Sequence, residues 1–115
     1  MLQDQPPEDD RSVVIFEARI ERGAELVVIV RGEIDLATVA AFSAVIDEAL
    51  LETSCLVLDL SETTFLDSTG LSVLVAAHRT LRYNPRAIVL RSPSDFVRRA
   101  LLVSGVDHLV TIQDT

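Results

Sequence analysis

The sequence predicts an α/β domain with a mixed sheet of about five strands, in the order β-β-α-β-α-β-α-β. Three observations carry that prediction. Two β-branched runs on either side of Gly23 open the chain, and a glycine in a short turn returns the second strand antiparallel. Three later apolar runs alternate with stretches whose apolar residues recur at spacings of three and four, the pattern of helices lying on a sheet. The run Cys55-Leu56-Val57-Leu58 is apolar at consecutive positions, as in a parallel strand covered by helices.

The 115 residues suit one compact domain. The boundaries read as an acidic tail over residues 1–11 and a domain over residues 12–115. Hydrophobic residues at 49% and charged residues at 24% match an ordinary globular protein. A net charge of −8 argues against nonspecific attraction to nucleic acid or anionic lipid. The single cysteine, Cys55, has no internal disulfide partner and is expected as a buried, inert thiol. The two histidines, His78 and His108, are far apart, so no metal ligand set is expected. No apolar run approaches the ~20 residues needed to span a bilayer. The polar N-terminus is not a secretory signal. A cytoplasmic protein without a cofactor is the expectation.

Met1–Arg11 is acidic and almost free of apolar residues. Ser12–Ile20 alternates as a strand near a sheet edge. Glu21-Arg22-Gly23-Ala24 turns the chain, and Glu25–Arg31 reads as a central strand. Gly32-Glu33-Ile34-Asp35 ends that strand, and Asp35 can cap the next helix. On that helix Val39, Phe42, Ile46 and Ala49 form one stripe, with Asp47, Glu48 and Glu52 off it. Cys55–Leu60 is the third strand. Asp59 near its end is expected to accept bonds from nearby loop N–H groups, or to help shape the loop that follows. Ser61–Thr64 reads as a polar connection.

The helix over Leu71–Arg82 places Leu71, Leu74, Val75, His78 and Leu81 on one stripe, with His78 partly buried and hydrogen-bonded. Tyr83-Asn84-Pro85 stops it. Ala87–Leu90 is a short strand. Ser92-Pro93-Ser94-Asp95 starts a helix with a serine cap and a proline in its first turn. Its expected inner face is Phe96, Val97, Ala100, Leu101 and Ser104, and Gly105 suits the left-handed position after it. Leu109–Ile112 is the last strand.

The informative stretch is Phe65-Leu66-Asp67-Ser68-Thr69-Gly70-Leu71. It places a serine hydroxyl at the positive end of a helix, where anions are favoured. Ser68 could be a helix cap, a nucleophile or a phosphate acceptor. Nucleophilic hydrolysis fits poorly, because the first glycine of G-x-S-x-G is missing. His78 also lies ten residues along the same helix, about 15 Å away. A nucleotide loop fits poorly too, since the chain has no lysine and no G-x-G-x-x-G. A phosphoserine would bring about −1.5 to −2 charges. Free N–H groups of the helix start could meet it, while Asp67, Asp35 and Asp59 would make its surroundings acidic. That combination suits a binding surface switched off by phosphorylation.

Two segments together resemble the bacterial anti-sigma factor antagonist family, the STAS domain. They are Gly32-Glu33-Ile34-Asp35 before a helix and Phe65-Leu66-Asp67-Ser68-Thr69-Gly70-Leu71 about thirty residues later. The strand Leu56–Leu60 and the late helix ending in Val103-Ser104-Gly105-Val106 match as well, so the resemblance spans roughly Val13 to Ile112. It implies a STAS-like fold and a non-enzymatic, partner-switching regulator of a sigma factor. The implied partners are an anti-sigma factor that is itself an ATP-dependent serine kinase, and a serine phosphatase that removes the phosphate. The implied phosphoacceptor is Ser68. Asp35, Asp67, Ser68, Thr69, Gly70 and Leu71 are the implied partner-binding positions, with Gly70 and Leu71 setting the helix start. The family pattern also carries a further C-terminal helix, for which no segment follows the last predicted strand. A monomer or weak dimer is expected. The alternatives are a STAS subunit of a lipid-transport ATP-binding-cassette complex, or a scaffold module in a stress-signalling particle.

Overall fold

A computed structural model describes residues 16–114. The tail read over residues 1–11 and the start of the first strand, residues 12–15, lie outside the described residues. The elements are β1 (Phe16–Arg22), β2 (Leu26–Ile34), α1 (Val39–Leu50), β3 (Leu56–Leu66), α2 (Ser68–Thr80), β4 (Ile88–Arg91), α3 (Asp95–Ser104) and β5 (Thr111–Gln113). Short 3-10 turns lie at Pro85–Ala87 and Val106–Leu109.

One five-stranded sheet runs in the order β1-β2-β3-β4-β5. β1 and β2 form an antiparallel hairpin, with Phe16 opposite Gly32 and Arg22 opposite Leu26. The other three pairings are parallel. Each parallel crossover needs a long connection, and the helices provide it.

Register explains the core. Val28, Leu58 and Leu90 stand side by side on β2, β3 and β4, and Leu56 pairs with Ile88. All five are fully buried, in one cluster with Phe42, Ile46, Leu74, Ala77, Val97 and Leu101 from the helices. Burying one such side chain stabilises the fold by roughly 1.5–3 kcal/mol. The opposite face of the sheet is charged at its β1–β2 end. There Arg31 bridges Glu17 at 3.0 Å and Glu62 at 2.8 Å, and from β4 Arg91 reaches Glu25 at 2.8 Å. Val57, between Val27 and Val89, remains buried.

Several local expectations change. β3 is 11 residues long, so Ser61–Thr64 is strand and not a connection. Its register to β2 shifts twice, between Ile29 and Arg31 and between Gly32 and Glu33, and each shift fits an extra β3 residue. Such bulges let polar residues enter a strand by breaking the strict alternation of faces. The buried Thr63 hydroxyl donates to the Val30 carbonyl at 2.9 Å, which satisfies it. β2 runs on to Ile34, so Gly32 and Glu33 do not end it.

Cys55 is exposed, because the strand begins one residue after it. Its thiol lies 3.9 Å from the Arg86 carbonyl. The buried face of α2 is Gly70, Leu74, Ala77 and His78, leaving Leu71, Val75 and Leu81 only partly buried. His78 is buried but Nδ1 has no hydrogen-bond partner. Its ring instead meets Tyr83 edge-on at 5.4 Å. The helix ends at Thr80, earlier than expected, as Arg82 and Tyr83 take positive φ. Ser94, not Ser92, caps α3, so Pro93 lies ahead of the helix. Phe96 is 52% exposed and leaves the inner face of α3 to Val97 and Leu101. Gly105 does follow α3 at φ 82°. Residues Val106–Leu109 form a turn, and β5 starts only at Thr111.

Candidate functional site

The site is built where β2 and β3 end together. Ile34 pairs with Leu66 in the parallel register, and the Asp67 amide donates to the Ile34 carbonyl at 3.2 Å. Asp35 and Asp67 therefore leave the sheet side by side, and each opens the turn or helix that follows.

Asp67 is the N-cap of α2, with extended backbone at φ −106° and ψ −171°. Its Oδ1 accepts from the Thr69 amide at 2.9 Å, the Gly70 amide at 3.4 Å and the Thr69 hydroxyl at 2.5 Å. The Thr69 hydroxyl is the main reason its pKa lies below the ordinary aspartate value. The two amides add to this, and burial opposes it. The charged form of the carboxylate is thus favoured by groups that belong to the helix start.

This arrangement separates two neighbouring hydroxyls. Thr69 is half-buried and its hydroxyl is committed to Asp67. Ser68 is exposed, and among the described residues its hydroxyl has no hydrogen-bond partner. Only its carbonyl is engaged, accepting from the Ser72 hydroxyl at 2.9 Å. Ser68 is therefore not the cap. The amides expected to greet a phosphate there are also partly taken, because Asp67 already holds those of Thr69 and Gly70.

Gly70 is buried beneath the loop. A Cβ there would collide with Leu66 Cδ1 and stand 2.6 Å from Ile34 Cγ2. Its part in the site is to let the helix start sit tightly on the paired strand ends. Leu71 is half-buried.

Asp35 organises the neighbouring turn. Its Oδ1 accepts from the Ala37 amide at 3.0 Å and the Thr38 amide at 3.2 Å. Thr38 donates its hydroxyl to the Glu33 carbonyl at 2.7 Å and is buried. α1 starts only at Val39, so Asp35 caps the turn ahead of the helix and not the helix itself. Leu36, in the same turn, is 78% exposed.

Asp59 does not join this site. It sits mid-strand beside Ile29 and Arg91 and accepts from the Ser61 amide at 2.9 Å. Seven strand residues separate it from Asp67, on the order of 20 Å at the usual rise. The amide it meets belongs to the strand and not to a loop as expected, and Asp59 takes no part in shaping the Ser68 loop. His78 and His108 also lie outside the site, towards the far end of α2 and in the 106–109 turn.

Sequence reasoning missed the apolar flank of the site. Phe65 packs against Phe96 of α3 with ring centroids 5.3 Å apart. Together with Leu66, Arg99, Ala100 and Val103 they line an open groove of about 320 Å³. The signal was present as a second apolar stripe on α3, Phe96, Ala100 and Val103, beside the buried one.

A five-stranded mixed sheet of this order, backed by three helices, is the architecture of a STAS domain. Residues 18–111 match the family described as Mlab, STAS domain, and the chain belongs to that family. Proteins similar to it include anti-sigma factor antagonists. The anti-sigma-B factor antagonist of Listeria monocytogenes is 32% identical over 88 residues, which cover 76% of this chain and 77% of that protein. An anti-sigma factor antagonist from Mycobacterium paratuberculosis has a similar structure, with a TM-score of 0.76 at 27% identity over 87% of this chain and 86% of the other. The antagonist SpoIIAA in its unphosphorylated form shares the fold, with a TM-score of 0.69 at 22% identity over 84% and 87% of the two chains. Among the described residues no helix is long and apolar enough to cross a membrane.

Proposed function

We propose that this chain is an anti-anti-sigma factor. In its unphosphorylated form it binds an anti-sigma factor serine kinase, which then releases its sigma factor, and phosphorylation of Ser68 ends that binding. A serine phosphatase resets the cycle. The observation that carries this reading is the state of one hydroxyl. Ser68 is exposed and uncommitted at a helix start whose capping is already done by Asp67.

The electrostatics favour loss of binding after modification. A phosphate brings about −1.5 to −2 charges. It would stand beside the Asp67 carboxylate, whose charged form Thr69 favours, and near Asp35. Like charges at this spacing repel, and the helix amides that could offset the repulsion are shared with Asp67. The phosphate therefore projects outward and changes the surface a partner meets. Ser68, Asp67, Asp35 and Leu71 form that surface, and Gly70 shapes it from beneath.

The test is ATP-dependent transfer. The partner captured on the unphosphorylated chain is purified and incubated with it and ATP, and the modified residue is located by mass spectrometry. One phosphate on Ser68 is expected, and none on Ser68→Ala. Ser68→Asp is expected to lose partner binding by about tenfold or more, as a buried charge mismatch at an interface does. A phosphate that persists on Ser68→Ala sinks the assignment. Capture of a transport ATPase subunit, with no modification at all, returns the transport-complex alternative.

A further inference from the structure

α3 carries two apolar stripes. Val97 and Leu101 face the core and are fully buried. Phe96, Ala100 and Val103, at spacings of four and three, share another face. On that face Phe96 is 52% and Val103 80% exposed. Contiguous apolar surface of this kind marks interaction sites, whereas scattered exposed apolar residues do not. Here the surface is continuous, because Phe96 packs on Phe65 and a groove of about 320 Å³ runs between the end of β3 and α3. The floor of the groove ends at Leu66, one residue before the cap of α2. The groove lining thus reaches the residue that precedes the α2 cap, two positions from Ser68.

Arg99 supplies the polarity. It lines the groove and is exposed. Arg22, Arg31, Arg91 and Arg98 all pair with carboxylates. Arg99 has no carboxylate partner among the described residues. Arg79, Arg82 and Arg86 share that state, but they lie at and beyond the other end of α2. Arg99 is therefore the one charged residue lining the groove, and no carboxylate of the described residues neutralises it.

We infer that the groove between β3 and α3 is a second half of the docking surface, and that it takes from the anti-sigma partner a bulky apolar side chain flanked by a carboxylate. The inference rests on the reading of Ser68 given above. The apolar side chain packs between Phe65, Phe96 and Val103, in the manner of interface hot spots. The carboxylate meets the Arg99 guanidinium in a charge-assisted pair, which fixes the register of the partner on the face. Ser68 then decides whether the face can be occupied, and the groove decides by which partner.

The experiment measures the affinity of the kinase that transfers phosphate to Ser68, with wild type, Phe96→Ser, Val103→Ser, Arg99→Lys and Arg99→Glu. Arg99→Glu is expected to weaken binding by about tenfold or more, and Arg99→Lys to retain most of it. Phe96→Ser and Val103→Ser are each expected to weaken it about three- to tenfold. Val103 is so exposed that its variant keeps the fold and decides the matter should Phe96→Ser misfold. The Arg99→Glu loss is also expected to shrink as salt rises, since its origin is charge. Unchanged affinity in Val103→Ser and Arg99→Glu, with Ser68→Asp still weak, overturns the groove and leaves the switch standing. Absence of any transfer to Ser68 overturns both.

Discussion

α2 and α3 both begin at a serine beside an aspartate, in the sequences Asp67-Ser68 and Ser94-Asp95, and the order reverses what the serine does. At α3 the serine is the cap, and its Oγ accepts from the Val97 amide at 3.2 Å. At α2 the aspartate is the cap, and the serine falls one position inside the helix with its hydroxyl free. A capping hydroxyl is structural, because it satisfies an amide the helix cannot satisfy itself. A hydroxyl released from that duty is available for chemistry. The same residue type at the same kind of boundary is thus a structural group in one place and a candidate reactive group in the other.

The largest effect that can break this comparison is chemical. Treatment of wild type, Ser68→Ala and Ser94→Ala with the kinase and ATP is expected to label wild type and Ser94→Ala fully, and Ser68→Ala not at all. The melting temperatures should reverse the ranking. Ser68→Ala should melt within a degree or so of wild type, since no hydrogen bond is lost. Ser94→Ala loses a cap worth about 1 kcal/mol, a fall of roughly 4–8 °C for a domain near this size. Equal labelling of the two variants, or equal melting, removes the distinction.

Next in size is the packing beneath the free serine, where α2 differs from α3. Gly70→Ala adds a methyl group against Leu66 and Ile34, which are 3% and 1% exposed and cannot yield cheaply. Overpacking of this kind costs about 1–3 kcal/mol, while the better helix propensity of alanine returns about 1 kcal/mol. Because the methyl group meets two buried side chains, the cost falls towards the upper end of that range, and a net loss of about 1–2 kcal/mol is expected in urea unfolding. A variant as stable as wild type would mean that the strand ends do not clamp this helix start.

Much of this was legible in the sequence. The alternation around Gly23 gave the hairpin, and the spacings of Val39, Phe42, Ile46 and Ala49 placed α1. Asp67-Ser68-Thr69-Gly70 marked the helix start at a strand end. What failed has a common physical origin in tertiary contacts. Polar Ser61–Thr64 looked like a loop because bulges and side-chain bonds such as Thr63 to Val30 make strand there. Cys55 looked buried because it adjoins an apolar run, yet the pairing starts one residue later. Phe96 looked like core because its spacing fits a stripe, and only the contact with Phe65 across the fold shows which stripe it belongs to. Which residue of Asp67-Ser68 caps the helix was equally hidden, since both types are good caps. That one-residue choice is the difference between a structural serine and a free one.

The smallest expected effect tests whether the α2 cap is charged, as the α3 cap cannot be. Asp67→Asn keeps most of the capping geometry and removes the charge that the Thr69 hydroxyl and the two amides stabilise. The folded pKa of Asp67 lies below its ordinary value. Its ionised form therefore stabilises the fold above the unfolded pKa, near 4, and this contribution is lost as pH falls through the lower folded value. Wild type should exceed Asp67→Asn at neutral pH by a few tenths to about 1 kcal/mol, the range for a charge at a helix N-terminus. The gap should close as the pH is taken down from 4. Ser94→Ala should instead lose the same amount at every pH in that range, because a hydroxyl does not titrate there. A gap between wild type and Asp67→Asn that stays constant into acid would show that the cap works by geometry alone. The Asp67 carboxylate would then add no charge to set against a phosphate on Ser68.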